Sequence, residues 1–289
     1  MNEAQSSRRD FLKTSAVAGG VLAANLGVLA NAHADGTDEI RVGLIGCGGR
    51  GTGAATDNLH ASRSLRLVAM GDVFNDRLRS SRDQLRADRD IRAQVDVADS
   101  RMFTGLNAFE QVLGTNANLV ILATPPGFRA QHLRAAVNAR KHIFTEKPTC
   151  VDGPTARLNF ETADIATRNN LSIVAGTQRR YQTGYRESMT RIHDGAIGTI
   201  TSARCYWNQG GLWNRARQAG WSDLEWQIRN WLYFTWLSGD HIVEQHVHNI
   251  DVMNWFMGAT PLKCVGLGGR QARTQPEYGH VYDHFAVEY

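Results

Sequence analysis

A glycine-rich segment near the start of the chain has the composition and spacing of a phosphate-binding loop. Residues 46–51 read Gly-Cys-Gly-Gly-Arg-Gly, a G-x-G-x-x-G pattern between an apolar run and a helical stretch. In that context Gly46 permits a tight turn, Gly48 lets the backbone approach a pyrophosphate, and Gly51 lets helix and strand pack closely. Free N–H groups at the helix start attract phosphate charge. The predicted coenzyme contacts here are Gly46, Cys47, Gly48, Gly49, Arg50 and Gly51.

An acidic residue follows the next apolar run. Asp72 comes directly after residues 65–71, about 20 residues beyond the loop, where a carboxylate accepts hydrogen bonds from the adenosine ribose. A carboxylate there repels a 2′-phosphate, which favours NAD over NADP. Arg77 lies nearby and leaves NADP open, because a guanidinium group suits a phosphate.

The segment 241–257 predicts a helix that carries several titratable side chains. Glu244 and His248 are four residues apart and should share a helix face, with Asp251 on roughly the same side. A carboxylate beside an imidazole suits proton transfer. Two further histidines lie in the segment, but the spacing is not H-E-x-x-H, so no metal site is predicted. Histidines that pack in a core or an interface are the alternative.

A lysine stands at the carboxyl end of a predicted strand. Beyond residue 34 the chain has many arginines but only Lys141, Lys147 and Lys263 as lysines. Arginine stays protonated at any working pH, whereas a buried lysine can titrate near neutrality. Lys147 is therefore a candidate for chemistry in the crevice, and a structural ion pair with Glu146 is the alternative.

The second half of the chain has features of a carbohydrate site. All seven tryptophans lie between residues 207 and 255, and aromatic faces stack on sugar rings. A tryptophan-rich core or a subunit interface is the alternative. Arg180 suits a polar or anionic substrate group, or an ion pair between domains. The predicted substrate contacts are Arg180, Tyr181, Trp207, Asn208 and Asp251.

Six short apolar runs alternate with helical stretches up to residue 176, and this alternation predicts a Rossmann-type, doubly wound parallel sheet. The predicted strands are 40–45, 65–70, 94–97, 119–123, 142–144 and 171–175. Ligands bind beyond the carboxyl ends of such strands. The glycine loop, Asp72, residues 124–126 and residues 146–148 all fall there.

After residue 176 the pattern changes to that of an α+β domain with a mainly antiparallel sheet. Helices are predicted at 185–193, 226–234 and 241–257, and strands at 199–208, 262–270 and 285–289. We therefore expect a coenzyme-binding domain over residues 35–176 and a substrate domain over residues 177–289. The sequence stops inside a predicted strand, so the substrate domain is expected to be incomplete.

Residues 1–34 have the three parts of an export signal. Residues 7–13 read Ser-Arg-Arg-Asp-Phe-Leu-Lys, the twin-arginine pattern. A weakly apolar run follows, and Ala-His-Ala at 32–34 has the A-x-A cleavage form. A frayed N-terminal helix is the alternative. We expect the twin-arginine translocase to carry the folded protein to the periplasm, so a cytoplasmic coenzyme can be loaded before export.

Composition excludes several classes of protein. The chain is 42% hydrophobic and 21% charged, which excludes disorder and fibrous architectures. No apolar run reaches the roughly 18 residues that span a bilayer, so no membrane partner is expected once the signal is removed. The 32 basic residues are scattered among 28 acidic ones, so no nucleic-acid surface is predicted. Four widely spaced cysteines predict neither a disulfide framework nor a zinc site.

These marks together resemble the Gfo/Idh/MocA family of glucose–fructose oxidoreductases, inositol dehydrogenases and rhizopine-catabolism proteins. The matching residues are the loop at 46–51, Ala-Thr-Pro-Pro at 123–126, Glu-Lys-Pro at 146–148, and the segment 244–251. The resemblance implies a two-domain oxidoreductase that acts mainly on sugars and cyclitols. It also implies that the nicotinamide lies near the Glu-Lys-Pro turn.

By that resemblance Lys147 is a catalytic or substrate-orienting residue that also contacts the coenzyme. Glu146 contacts the nicotinamide ribose. Thr124 and Pro125 line the path of the coenzyme. The resemblance makes His248 the general base. Its orienting carboxylate, Glu244, is one methylene longer than the aspartate usual in the family. The resemblance therefore implies hydride transfer between a tightly held NAD and a sugar, polyol or sugar derivative.

Two other functions stay open. Free nicotinamide coenzyme is scarce outside the cytoplasm, so an exported enzyme must regenerate its own NAD. A redox-assisted glycosidase or lyase does so within each cycle. A non-catalytic sugar- or nucleotide-binding protein is the third candidate. The sequence leaves open whether the protein is a homo-oligomer.

Overall fold

A computed structural model describes residues 39–289, and the predicted export signal lies outside them. Six parallel strands form one sheet in the order β3-β2-β1-β4-β5-β6, which is the Rossmann order. The strands are β1 (Ile40–Ile45), β2 (Leu65–Asp72), β3 (Met102–Thr104), β4 (Leu119–Leu122), β5 (His142–Thr145) and β6 (Ile173–Ala175). The predicted α/β fold of this half is confirmed.

Five helices bury the two faces of the sheet. They are α1 (Gly49–Ala61), α2 (Asn75–Ala87), α3 (Ala108–Leu113), α4 (Pro126–Asn138) and α5 (Gly153–Arg168). Successive side chains of a strand point to opposite faces. Leu44 accordingly packs with Leu59 of α1, whereas Ile45 packs with Leu133 of α4. Each face of the sheet thus has its own hydrophobic core.

The third strand lies later in the chain than the sequence pattern predicts. Residues 92–94 form a 3₁₀ helix, and Val95 makes only an isolated bridge with Leu67. The buried side-chain amide of Gln94 explains this difference, because it bonds to three carbonyl groups between α1 and β2. These belong to Leu59, Ser62 and Leu65, at 3.0, 2.8 and 3.0 Å. The predicted strand at 94–97 is therefore wrong.

The second half contains short helices and one hairpin of antiparallel strands. The helices are α6 (Thr183–His193), α7 (Asp223–Arg229), α8 (Thr235–Ser238), α9 (Asp240–Glu244) and α10 (Val247–Met257). The strands are β7 (Val265–Gly269) and β8 (His284–Glu288). The strand predicted at 199–208 is not formed, because no segment of residues 39–289 pairs with it.

A break divides the helix that the sequence predicts over residues 241–257. The N–H group of His246 bonds to the carbonyl of His241, five residues back, at 3.1 Å. Such a wide turn interrupts the regular i to i−4 ladder. Glu244 therefore ends α9 and His248 lies in the first turn of α10. The prediction that these two residues share one helix face is wrong.

The second half packs against the carboxyl edge of the sheet. Phe74, which follows β2, shares a hydrophobic cluster with Ile228, Phe234 and Leu237. A Cβ atom at Gly127 of α4 would lie 2.3 Å from the carbonyl oxygen of residue 236, so only glycine permits this approach. The predicted division at residue 176 stays a prediction. In residues 39–289 no helix is long and apolar enough to cross a bilayer.

Candidate coenzyme and catalytic site

The glycine loop joins β1 to α1, and its glycines meet different needs. Gly46 has a φ of 95°, and a Cβ there would lie 2.6 Å from the carbonyl carbon of Ala123. A Cβ at Gly51 would lie 1.8 Å from the carbonyl oxygen of Gly46. At Gly48 a Cβ would meet nothing within 4 Å. Gly46 and Gly51 therefore serve the fold, while Gly48 keeps space open for a ligand.

A cleft of about 570 Å³ opens above this loop. Its walls include the loop, Asp72 after β2, and Thr124 and Pro125 after β4. Gly48 is the N-cap of α1, and no side chain caps that helix. Its first N–H groups are therefore free of side-chain acceptors and suit phosphate oxygens. The residues present fit a dinucleotide.

Asp72 fastens the loop from the end of β2. Its carboxylate accepts the backbone N–H groups of Cys47, at 2.7 Å, and Phe74, at 2.8 Å. Burial raises the pKa of this carboxyl group, and these two hydrogen bonds oppose the rise. The pKa of the Arg77 guanidinium is lowered by burial, and the Asp72 charge opposes that shift. The predicted ribose acceptor thus also supports the loop and lies near an arginine.

Glu146 is held by the glycine loop. The Arg50 Nε atom donates to the buried Glu146 carboxylate at 2.6 Å. A Cβ at Gly176 would stand 3.1 Å from the same carboxylate, so the pocket around it is tight. This ion pair links the coenzyme cleft to the segment after β5. Glu146 therefore pairs with Arg50, and the alternative ion pair with Lys147 is wrong.

Lys147 meets Glu244 across the two halves of the chain. Its ammonium group donates to the Glu244 carboxylate and to the Glu244 backbone carbonyl, each at 2.6 Å. Burial raises the pKa of Glu244, and the Lys147 charge opposes the rise. The side chains are 18% and 11% exposed, so the pair is largely out of water. Loss of either partner would leave a buried charge uncompensated.

His248 lies beside this ion pair. Its ring stacks on Trp207, with centroids 5.8 Å apart. Burial, together with the charges of Lys147 and Arg179, lowers the pKa of His248 from 6.5 to about 4. The imidazole is therefore neutral at neutral pH and can accept a proton. Within residues 39–289 no hydrogen bond joins it to Glu244, whose carboxylate bonds to Lys147 instead.

The predicted substrate contacts are only partly brought together. Arg180 forms a bidentate ion pair with Asp251, with Nε at 2.8 Å from one oxygen and Nη2 at 2.8 Å from the other. Arg179 bonds to Asn249 and lies over the Trp207 ring at 5.5 Å. The other two predicted contacts are exposed to solvent: Tyr181, which is 61% exposed, and Asn208.

The two other histidines of the broken helix contact each other. His241 Nδ1 lies 3.3 Å from His246 Nε2. Burial and the neighbouring His246 lower the pKa of His241 to about 4. No group of three or more His, Cys, Asp or Glu side chains in the described part of the chain is arranged to hold a metal ion.

A buried arginine that the sequence analysis missed supports both strand ends. The Arg129 guanidinium of α4 donates to the carbonyl groups of Thr124, Glu146 and Pro148. Burial lowers its pKa to about 10. A signal was present in the sequence, because this arginine falls on the apolar stripe of α4, next to Ala130 and four residues before Leu133. A charge at a core position predicts carbonyl or carboxylate partners.

The fold and the loop geometry define a dinucleotide-binding Rossmann protein, and comparison with known families agrees. Residues 40–176 match the oxidoreductase family with an NAD-binding Rossmann fold, Gfo/Idh/MocA. This match covers just under half of the chain and agrees with the resemblance that the sequence marks indicate. Residues 5–24 match the twin-arginine translocation signal sequence, so the chain is exported to the periplasm.

Individual relatives match a part of their own length. An inositol 2-dehydrogenase of Saccharopolyspora erythraea is 28% identical over 57% of this chain and 44% of its own. A 2,7-anhydro-N-acetylneuraminate hydratase of Escherichia coli is 26% identical over 57% of this chain and 40% of its own. The matched stretch is thus less than half of either relative.

A solved structure shows the same fold. The scyllo-inositol dehydrogenase of Lactobacillus casei, crystallised with NAD(H) and scyllo-inositol, is 22% identical, with a TM-score of 0.58. The likeness covers 82% of this chain and 61% of that one. It extends beyond the coenzyme-binding half and confirms the fold class.

Proposed function

We propose that this protein is an exported oxidoreductase that uses a tightly held NAD to oxidise a hydroxyl group of a sugar, polyol or sugar derivative. The observation that carries the proposal is the buried ion pair of Lys147 with Glu244. It stands at the carboxyl end of β5, directly after Glu146, which the glycine loop holds through Arg50. A charged pair that is kept out of water beside a coenzyme cleft suits catalysis better than stability.

NAD, when bound, supplies the acceptor for the hydride. The glycine loop and the start of α1 would hold its phosphates, and Asp72 its adenosine ribose. Thr124, Pro125 and Glu146 would contact the nicotinamide half. We favour NAD over NADP because Asp72 is a carboxylate, whereas Arg77 is the residue that would accommodate NADP.

The chain's own residues would handle the proton of the hydroxyl group. Burial and the charges of Lys147 and Arg179 lower the pKa of His248, so its ring is neutral at neutral pH and has a lone pair that could accept that proton. The Lys147 ammonium would stabilise the negative charge that develops on the substrate oxygen. Glu244 would fix the position of the ammonium rather than that of the imidazole, since its hydrogen bond goes to Lys147.

The substrate side has an aromatic face and Arg179, a cation that forms no ion pair with a carboxylate among residues 39–289. Trp207 suits the C–H face of a sugar ring. Arg180 is neutralised by Asp251, whereas Arg179 has an amide and aromatic rings as its partners. The names of the relatives, an inositol dehydrogenase and a hydratase of a neuraminate derivative, support a polyhydroxylated substrate.

Mass spectrometry of the nucleotide released from the periplasmic protein, followed by a screen of sugars and cyclitols, tests the proposal. We expect stoichiometric NAD and substrate-dependent reduction that His248→Ala abolishes. Glycoside cleavage without net reduction of NAD would instead identify the protein as a redox-assisted glycosidase. A protein that binds sugar and NAD but turns over nothing would be a binding protein, and the proposal would be wrong.

A further inference from the structure

One wall of the coenzyme cleft comes from the second half of the chain. Five side chains there face the same space as the glycine loop and Asp72. They are Trp213, Arg215, Ile228, Arg229 and Trp231. None of them belongs to the Rossmann fold, and none is in the motifs from which the coenzyme site was predicted.

Arg229 attaches this wall to the turn after β2. Its guanidinium lies over the Phe74 ring at 3.8 Å and pairs with Asp76 at 3.0 Å. The Arg77 guanidinium donates to the backbone carbonyl of Arg229 at 3.4 Å. Since the residues after β2 lie at the adenosine end of a Rossmann cleft, the wall closes that end.

The loop that carries Trp213 and Arg215 is fixed although it has no regular secondary structure. The N–H group of Arg215 donates to the side chain of the fully buried Asn230 at 2.8 Å. The Arg215 carbonyl accepts the indole N–H of Trp226 at 2.8 Å. Trp213 packs edge-on against Trp231, with ring centroids 5.8 Å apart. The wall is therefore part of the folded structure.

Arg215 and Arg229 of the wall face the cleft together with Arg77 of α2, and two of these three arginines form no ion pair among residues 39–289. Arg229 has two acidic partners, Asp76 and Glu225. Arg77 and Arg215, by contrast, have no carboxylate oxygen within 4.0 Å among residues 39–289. Both face the cleft. Asp72 and Asp76 act on Arg77 only as more distant charges, so a phosphate group in the cleft would give both arginines a direct anionic partner.

We propose that these residues form an adenosine clamp, in which Arg215, Arg229 and the facing Arg77 bind the phosphate charge of a dinucleotide, Trp213 stacks on its adenine base, and release of the coenzyme is slowed. The proposal rests on the coenzyme binding put forward above but not on the reaction. The phosphate is either the pyrophosphate, which NAD and NADP share, or the 2′-phosphate of NADP alone.

Timed release of coenzyme tests the clamp without any assay of turnover. Wild type, Arg215→Met and Trp213→Ala are loaded with NAD or with NADP, passed through a desalting column at set delays, and the retained nucleotide is counted. Arg217→Met is the matched control, because Arg217 lies in the same loop but does not line the cleft. Urea unfolding checks the fold of each variant, and Arg215 is exposed, so its substitution spares the core.

We expect Arg215→Met and Trp213→Ala to release the coenzyme about tenfold faster than wild type, because one loses a charge contact and the other a stacking contact. Arg217→Met should retain coenzyme like wild type. Equal acceleration for NAD and NADP would assign the pyrophosphate, and a larger one for NADP the 2′-phosphate.

The clamp is overturned if Arg215→Met releases both coenzymes at the wild-type rate, or if wild type retains neither. If the variants show these release rates but the protein oxidises no sugar, the clamp is supported and the proposed oxidoreductase function is contradicted. The two proposals can therefore fail separately.

Discussion

The coenzyme cleft and the Lys147–Glu244 ion pair lie side by side but are built in different ways. Backbone geometry shapes the cleft, because Gly46 and Gly51 leave no room for a side chain. The ion pair is built from two charges that are far apart in sequence, one after β5 and one at the end of α9. We therefore expect substitutions in the cleft to remove the ligand, and substitutions in the ion pair to slow the reaction without releasing the ligand.

Loss of the lysine should have the largest effect. Lys147→Ala removes the cation that faces the substrate oxygen and should slow turnover by roughly 10²- to 10⁴-fold, the span for a lost proton-handling group. Steady-state kinetics on the best substrate measures the loss, and mass spectrometry should still find bound NAD. Lys263→Ala, at an exposed position, is the control. Normal turnover in Lys147→Ala would show that the Lys147–Glu244 ion pair has no part in the reaction.

A side chain in the open part of the glycine loop should have the second largest effect. Gly48→Val adds an isopropyl group at a position where a Cβ atom meets nothing of the protein within 4 Å. We expect coenzyme affinity to fall about 10- to 100-fold, because a steric clash of this kind costs about 1–3 kcal/mol of binding free energy. The free energy of unfolding should change little. Calorimetric titration measures the affinity. Gly184→Val, at another open glycine, should bind normally, and full affinity in Gly48→Val would contradict the assignment of the loop.

The free energy of unfolding should fall in acid because of a histidine that lines the coenzyme cleft. His132 lies there, 3.2 Å from the Thr124 hydroxyl, and burial lowers its pKa from 6.5 to about 4. The unfolded state therefore binds this proton more tightly than the folded state does. The stability due to the neutral ring is complete above pH 6.5 and is lost as the pH falls towards 4.

By about pH 4.5 the loss from this one group should reach about 2 kcal/mol. Urea unfolding at several pH values measures it. His132→Gln keeps a polar partner for Thr124 but does not titrate, so its curve should be flatter by that amount. Equal pH dependence in both proteins would show that His132 is not the group responsible.

The smallest expected effect is a coupling free energy, which shows whether Glu244 interacts with Lys147 or with His248. A double-mutant cycle with Lys147→Met and Glu244→Gln should give a coupling of about 1 kcal/mol or more in the free energy of unfolding. A cycle with Glu244→Gln and His248→Ala should give less than about 0.5 kcal/mol. Urea unfolding of the six proteins measures both values. Stronger coupling to His248 would restore the partner that helical spacing predicts.

The sequence predicts most of the Rossmann half because its signals are local. Apolar runs of strand length, a glycine loop between β1 and α1, and a carboxylate after β2 each depend on a few neighbouring residues. The third strand is the exception. The buried amide of Gln94 ties its segment to the carbonyl groups between α1 and β2, and a polar contact of this kind leaves no periodic pattern.

Long-range partners could not be predicted in the same way. The pairing of Lys147 with Glu244, the ion pair of Arg50 with Glu146 and the wall that carries Arg215 all depend on how distant segments meet. Helical periodicity even favours the wrong partner for Glu244, since i and i+4 residues are neighbours only on a continuous helix. Arg129 was open to detection, because a charge on an apolar stripe is a local signal.

The break between α9 and α10 has a consequence for the ammonium group of Lys147. In an unbroken helix the Glu244 carbonyl would accept the N–H group of His248, but that N–H bonds to Gln245 instead. The freed carbonyl accepts a hydrogen bond from the Lys147 ammonium group at 2.6 Å. The interruption thus turns a group normally consumed within secondary structure into a ligand for a cation, and one glutamate holds the lysine by both main chain and side chain.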